Sequence, residues 1–383
     1  MWFLRMDFLG LLTALCGCLF VVRQCAGRDK RPVWAGFLLA GLQLAALAYI
    51  DLGLCLFYAF YVLFTFVWIR LLCRINTAPL LRRIVFATGI TLFIIPLLIV
   101  RLTSFSFLQG VVLIGFAYQM LKAVDGLFYV YYAGETVAFL PYVNFLLFLP
   151  TFTSGPILRY RDFLAGYQTP LQNTPPQTVE AVKRIIRGLF KKIVLSAFAL
   201  QLFHHLVAQP ARLPISVLAV AASYAVLFFD FSGYSDIAIG FGRLMGFAVP
   251  ENFKKPLEAA SFTQFWRNWH VTLSDWIREH IFVALLGQKL NRRQSALIGF
   301  CTMVVMSLWH GFSWLYLAAG VYMGLLLALE NALGLTSPHK RKMKKPVYIA
   351  RCAAVNFLFG VNTLAFLLDG PQLLHVLKGF VRM

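Results

Sequence analysis

The sequence predicts an all-α polytopic membrane protein, on three observations. Its 383 residues are 60% hydrophobic and only 13% charged, whereas soluble domains carry about 25% charged residues, and the mean hydropathy is +0.75. The 37 Phe, 15 Tyr and 8 Trp are scattered through long apolar runs, whereas a membrane barrel alternates apolar and polar residues in segments of about ten. The 35 Lys and Arg exceed the 15 Asp and Glu by 20 but sit in short clusters between the apolar runs. That pattern signals topology and not a nucleic-acid surface.

A crossing needs about 20 residues, at 1.5 Å of rise each, to cover about 30 Å of hydrocarbon. Apolar runs of this kind lie at 7–24, 34–50, 53–69, 84–100, 105–122, 138–153, 185–207, 214–230, 231–248, 296–310, 312–333 and 347–368. Some are short or fused, so about eleven transmembrane helices are expected, with re-entrant and interfacial helices around a thinned central funnel or tunnel. The whole chain, 1–383, reads as one membrane domain. The first run is followed by a basic loop and no small-residue cleavage site, and reads as a retained span.

Arg23, Arg28, Lys30 and Arg31, then Arg70, Arg74, Arg82 and Arg83, then Lys340–Lys345 form the basic loops. The positive-inside rule puts all of them in the cytoplasm and both termini outside. Two central stretches, Arg159–Lys192 and Pro250–Lys289, lack any span-length apolar run and read as cytoplasmic surface segments or interfacial elements.

Three constellations could carry chemistry. Phe262, Phe265, Trp266, Trp269, Leu273, Trp276 and Ile277 recur at helical spacing, which predicts one amphipathic helix with His270 at the edge of its apolar face. Residues 296–329 as a single helix would be about 51 Å long, so the chain must break, and Gly311 in Ser307-Leu308-Trp309-His310-Gly311 is the natural corner. His310 then lies about 21 Å from the cytoplasmic end of its helix, a depth at which an ionisable group marks a functional site. Phe229-Asp230-Phe231-Ser232-Gly233-Tyr234-Ser235-Asp236 places two carboxylates in an apolar region; each needs a partner, and Arg243, two turns after Asp236, is the candidate. The seven Cys form no metal-ligand spacing, and G-x-S-x-G, Walker A and H-E-x-x-H are absent. On the residues alone an enzyme built on His310 competes with a transporter relaying protons through Asp230, Asp236 and His310, although no duplicated half is visible.

Four segments carry a resemblance: Leu149-Pro150-Thr151-Phe152-Thr153-Ser154-Gly155-Pro156-Ile157, Pro250-Glu251-Asn252-Phe253-Lys254-Lys255-Pro256, Phe265-Trp266-Arg267-Asn268-Trp269-His270 and Trp309-His310-Gly311-Phe312-Ser313-Trp314. In these, and over a motif-rich core at about 148–330, the chain resembles the membrane-bound O-acyltransferases, most of all their D-alanyl transfer (DltB-type) branch. The resemblance implies a bacterial inner-membrane enzyme in which His310 is catalytic and His270 is its partner. Arg267, Trp269, Trp309, Asn252, Asp230 and Asp236 become the substrate-binding or site-supporting candidates. It implies no bound cofactor and no metal. The donor would be a thioester on the phosphopantetheine of a small acidic carrier protein, or alternatively acetyl-CoA for an O-acetyltransferase, and the acceptor a hydroxyl of a teichoic acid or another envelope polymer outside.

Overall fold

A computed structural model describes residues 33–75, 78–102, 115–169, 174–283, 291–336 and 343–381, with the single positions 10, 13, 17 and 338. The run at 7–24, the cluster from Arg23 to Arg31, most of 105–122 and Lys340–Lys342 lie outside the described residues. The described chain is all-α and polytopic. It contains no strand, only one isolated bridge between Phe253 and Trp269.

Two compact units share the chain: Met1–Ile186 with Asp236–Pro250, and Arg187–Ser235 with Glu251–Met383. The first holds α1 (Val33–Ile50), α2 (Leu52–Arg74), α3 (Pro79–Leu102), α4 (Ala117–Phe128), α5 (Phe139–Leu146), α6 (Tyr160–Gln168) and most of α7 (Pro175–Leu189). Asp51 starts α2 by accepting a hydrogen bond from the Leu54 N–H at 2.7 Å. Between helices that bury apolar faces, polar side chains are used as bridges: Gln43 Nε2 donates to Asn144 Oδ1 at 3.0 Å and Gln43 Oε1 accepts from Leu149 N at 3.2 Å. The expected span at 138–153 is instead the eight-residue α5 followed by a 3₁₀ turn, Leu149–Thr151. Pro150 has no N–H to continue the ladder, and about 12 Å of helix cannot cross a bilayer.

The second unit holds α8 (Ser196–Val207), most of α9 (Leu213–Leu244), α10 (Phe262–Trp266), α11 (Val271–Ile277), α12 (Arg292–His310), α13 (Trp314–Leu333), α14 (Lys345–Thr363) and α15 (Gly370–Lys378). The runs at 214–230 and 231–248 are not two spans: α9 is one helix of 32 residues, about 48 Å long. No proline interrupts it after Pro214, and its two carboxylates are neutralised by neighbours, so nothing forces a polar break. Lys192 binds Asp230, and Arg184 Nε donates to Asp236 Oδ1 at 2.9 Å. Arg184 lies 52 residues from Asp236, on α7, where no periodicity within one helix could have pointed.

Among the described residues six helices are long and apolar enough to cross a membrane, against about eleven expected: Val33–Ile50, Leu52–Arg74, Pro79–Ile99, Leu213–Leu244, Trp314–Leu333 and Lys345–Phe366. Their outward faces carry Phe37, Phe60, Val67, Leu80, Leu325 and Leu329, all exposed, which is the surface that lipid covers.

Candidate active site

The corner predicted at Gly311 is where α12 ends and α13 begins. The φ of −177° at Gly311 is extended backbone open to any residue. Glycine is needed for closeness, because a Cβ there would stand 2.4 Å from the Tyr316 ring. Ser307 Oγ donates to the Tyr316 carbonyl at 2.5 Å and ties one arm of the corner to the other, and the Ser313 side chain caps α13. Farther along, a Cβ on Gly320 would stand 2.8 Å from Val304 Cα, so the small residues Gly320 and Gly324 let α13 lie directly on the α12 backbone. His310 is therefore the last residue of a rigidly held helix. Its ring is exposed and meets those of Trp309 and Phe366 edge-on, at centroid distances of 4.9 and 5.4 Å.

His270 is not on a continuous amphipathic helix. The helical pattern breaks after Trp266 into α10 and α11, and His270 stands between them in the left-handed region, φ 45° and ψ 47°, at 2% exposure. A left-handed non-glycine residue costs about 1–3 kcal/mol and persists only where its surroundings over-determine it. Here the segment Pro250–Pro256 does so: the Lys254 N–H donates to the Asn268 carbonyl at 2.9 Å, and the Val271 N–H to the Asn252 carbonyl at 3.0 Å. Trp269 is clamped between Phe253 and Phe359, with ring centroids at 4.9 and 4.7 Å. From the other side Glu330, buried in α13, accepts from the N–H groups of Phe262 and Thr263 at 2.5 and 2.8 Å and from Thr263 Oγ1 at 2.7 Å, pinning the start of α10.

The proton on His270 follows from its partner. Asn252 Oδ1 accepts from Thr272 Oγ1 at 2.8 Å and faces the Thr272 N–H at 3.4 Å, so it is an acceptor, and the His270 Nδ1 beside it at 3.2 Å must be the donor. Nε2 then carries the lone pair; it is buried with no hydrogen-bond partner among the described residues. His270 lies outside the six spans, and burial, with His310 nearby, holds its pKa well below the usual histidine value, which keeps the imidazole neutral.

Both histidines line one cavity of about 110 Å³ in the second unit. Trp266, Trp269, Met303, Met306 and Gly320 form much of its wall, and Phe359, Asn362 and Phe366 also contribute to it. Of the other sequence candidates, only Trp269 reaches this wall. Asn252 stands behind His270 and Trp309 beside His310; Arg267 is exposed, and Asp230 and Asp236 are engaged with Lys192 and Arg184. Sequence reasoning missed Glu330 and Asn362. Glu330 is the single charged residue of α13 and was open to the rule that intramembrane charges have a task; nothing in its own helix pointed to its partners.

The membrane-bound O-acyltransferase family profile matches residues 54–368. The chain belongs to the membrane-bound O-acyltransferase family. It is similar to a teichoic acid D-alanyltransferase of Streptococcus thermophilus, 31% identical over 301 residues that cover 71% of this chain and 70% of that protein. A probable alginate O-acetylase of Pseudomonas putida is 34% identical over 232 residues, covering 59% of this chain and 47% of the relative. A peptidoglycan O-acetyltransferase of Helicobacter pylori is 28% identical over 251 residues, covering 63% and 47%. Against the alginate and peptidoglycan enzymes the match thus spans about half the length of the relative.

Proposed function

We propose that this member of the family moves a D-alanyl group from a thioester on the phosphopantetheine of a small acidic carrier protein to a hydroxyl of an envelope polymer. The observation that carries the reading is the placement of His270 and His310 in one apolar-walled cavity. His310 takes the proton of the attacking hydroxyl, whose oxygen bonds to the thioester carbonyl carbon. The C–S bond then breaks, and the proton passes to the leaving thiolate, so the histidine ends as it began. The neutral His270, with its lone pair on Nε2, orients the reactants. The Trp and Met side chains of the wall give the thioester a largely apolar setting. A flexible prosthetic arm fits such a space where a folded carrier does not. In this reading the basic clusters, Arg70 and Arg74 among them, face the cytoplasm, and the His310 corner faces the outer side.

The D-alanyl reading is supported by a relative of that name matched over 70% of its length. The higher identity to the alginate O-acetylases favours a second reading, O-acetyl transfer to an exported polysaccharide. Mass spectrometry of envelope polymers from strains with and without the gene separates them, since D-alanyl and acetyl esters differ in mass. Loss of acetyl esters alone overturns the first reading. Carrier docking has its own test: Lys183→Glu on the exposed face of α7 is expected to weaken carrier binding several-fold at low salt, the difference fading as salt screens it. Arg184 is unsuitable for that experiment because it holds Asp236.

The support of His270 is testable through Asn252. Asn252→Leu removes the acceptor for Nδ1–H, and transfer is expected to fall about 10-fold or more as the tautomer is released, with the pH profile altered. Asn252→Asp keeps the acceptor and should restore much of the rate. Equal loss in both variants would assign Asn252 to packing alone.

A further inference from the structure

Building on the acyltransferase reading, we propose that the Asn362 amide is the specificity contact of the cavity: its oxygen accepts a hydrogen bond from the amino group of an aminoacyl donor and so favours aminoacyl over acetyl transfer. Phe359, Asn362 and Phe366 stand at i, i+3 and i+7, one stripe along the end of α14 and the 3₁₀ turn Leu364–Phe366, and all three line the cavity. Phe359 packs on Trp269, the neighbour of His270, and Phe366 packs on His310 with ring centroids at 5.4 Å. The amide thus lies on the wall between the surroundings of the two histidines.

Asn362 is 8% exposed, and its Oδ1 is buried with no hydrogen-bond partner among the described residues. An orphaned buried carbonyl weakens a fold and calls for an explanation. Disorder of the helix does not supply one. The next residue, Thr363, donates to the Gly360 carbonyl at 2.6 Å and shares a 2.7 Å bond with Ser223 Oγ. Asn252, the other buried amide at the site, has its oxygen fully used.

A carbonyl oxygen only accepts, so its ligand must bring an N–H or O–H. An acetyl thioester has neither. An aminoacyl thioester brings an α-amino group, which titrates near pH 8 and sheds its charge readily in an apolar cavity. The amino group keeps its hydrogens throughout, and the transfer itself is unchanged.

The test uses the purified full chain and two ketone analogues, aminoacyl- and acetyl-pantetheine with a methylene in place of the thioester sulfur, titrated by calorimetry. The wild type is expected to bind the aminoacyl analogue about 10-fold more tightly, the order of one hydrogen bond. Asn362→Leu, checked by its melting temperature, should erase that preference and lower the D-alanyl to acetyl ratio of kcat/KM by a similar factor. Equal binding of the two analogues by the wild type overturns the proposal without any variant. An unchanged ratio in Asn362→Leu also overturns it and leaves the amide to an ordered water, the acceptor hydroxyl or packing. If the wild type binds the aminoacyl analogue selectively yet transfers neither acyl group, the acyltransferase reading falls and the Asn362 contact stands.

Discussion

Replacing His310 with alanine is expected to lower acyl transfer at least about 100-fold, the ordinary worth of a general base, while yield and melting temperature stay near those of the wild type. The separation of the two effects follows from its setting. His310 ends α12 at an exposed position and meets the Trp309 and Phe366 rings edge-on, so its removal opens no cavity in the core. The corner itself is held by Ser307, Ser313 and the glycine contact with Tyr316, none of which needs the imidazole. His310→Gln keeps polarity and size without a titratable nitrogen and should lose as much. Transfer measured with purified protein and a thioester donor decides the matter: a residual rate above a tenth in either variant removes His310 as the base.

Glu330→Ala should do the reverse, damaging the fold first and activity as a consequence. The two Glu330 oxygens accept three hydrogen bonds at the start of α10, and truncation leaves the N–H groups of Phe262 and Thr263 buried or half-buried without partners. Each such orphan costs about 1–3 kcal/mol, so a loss of several kcal/mol is expected, concentrated in the segment that carries Trp269 and His270. A drop of several degrees in melting temperature in detergent, with transfer reduced at least 10-fold, is the expected outcome. Glu330→Gln retains one acceptor oxygen and should fall between. A Glu330→Ala protein that melts like the wild type and keeps its rate would mean that α10 is held by its aromatic contacts alone.

Much of the site was legible in the sequence because its signals are local. The break at Gly311 was expected from arithmetic on helix rise against bilayer thickness, and α12 does end there. The amphipathic period over 262–277 was equally visible and misled, since hydrophobic spacing records which residues become buried and not whether one helix buries them. The left-handed His270 is stabilised by hydrogen bonds from Lys254 and Val271, whose acceptors lie at Asn268 and Asn252. Such pairing across the chain leaves no periodic trace. The pairing of the two α9 carboxylates is equally non-local: Lys192 and Arg184 neutralise them from outside the helix.

By itself the sequence determined the all-α membrane class, the family and the two histidines, because composition, apolar run length and short motifs are properties of contiguous residues. Tertiary structure alone decided which groups serve those histidines. Asn252 sets the tautomer of His270 from 18 residues away, Glu330 anchors the start of α10 from 67 and 68 residues away, and Asn362 enters the cavity wall from α14. In a membrane bundle a buried polar group must find its partner wherever packing brings one within about 3 Å, and that distance is set by how helices meet and not by how far apart they lie in the chain.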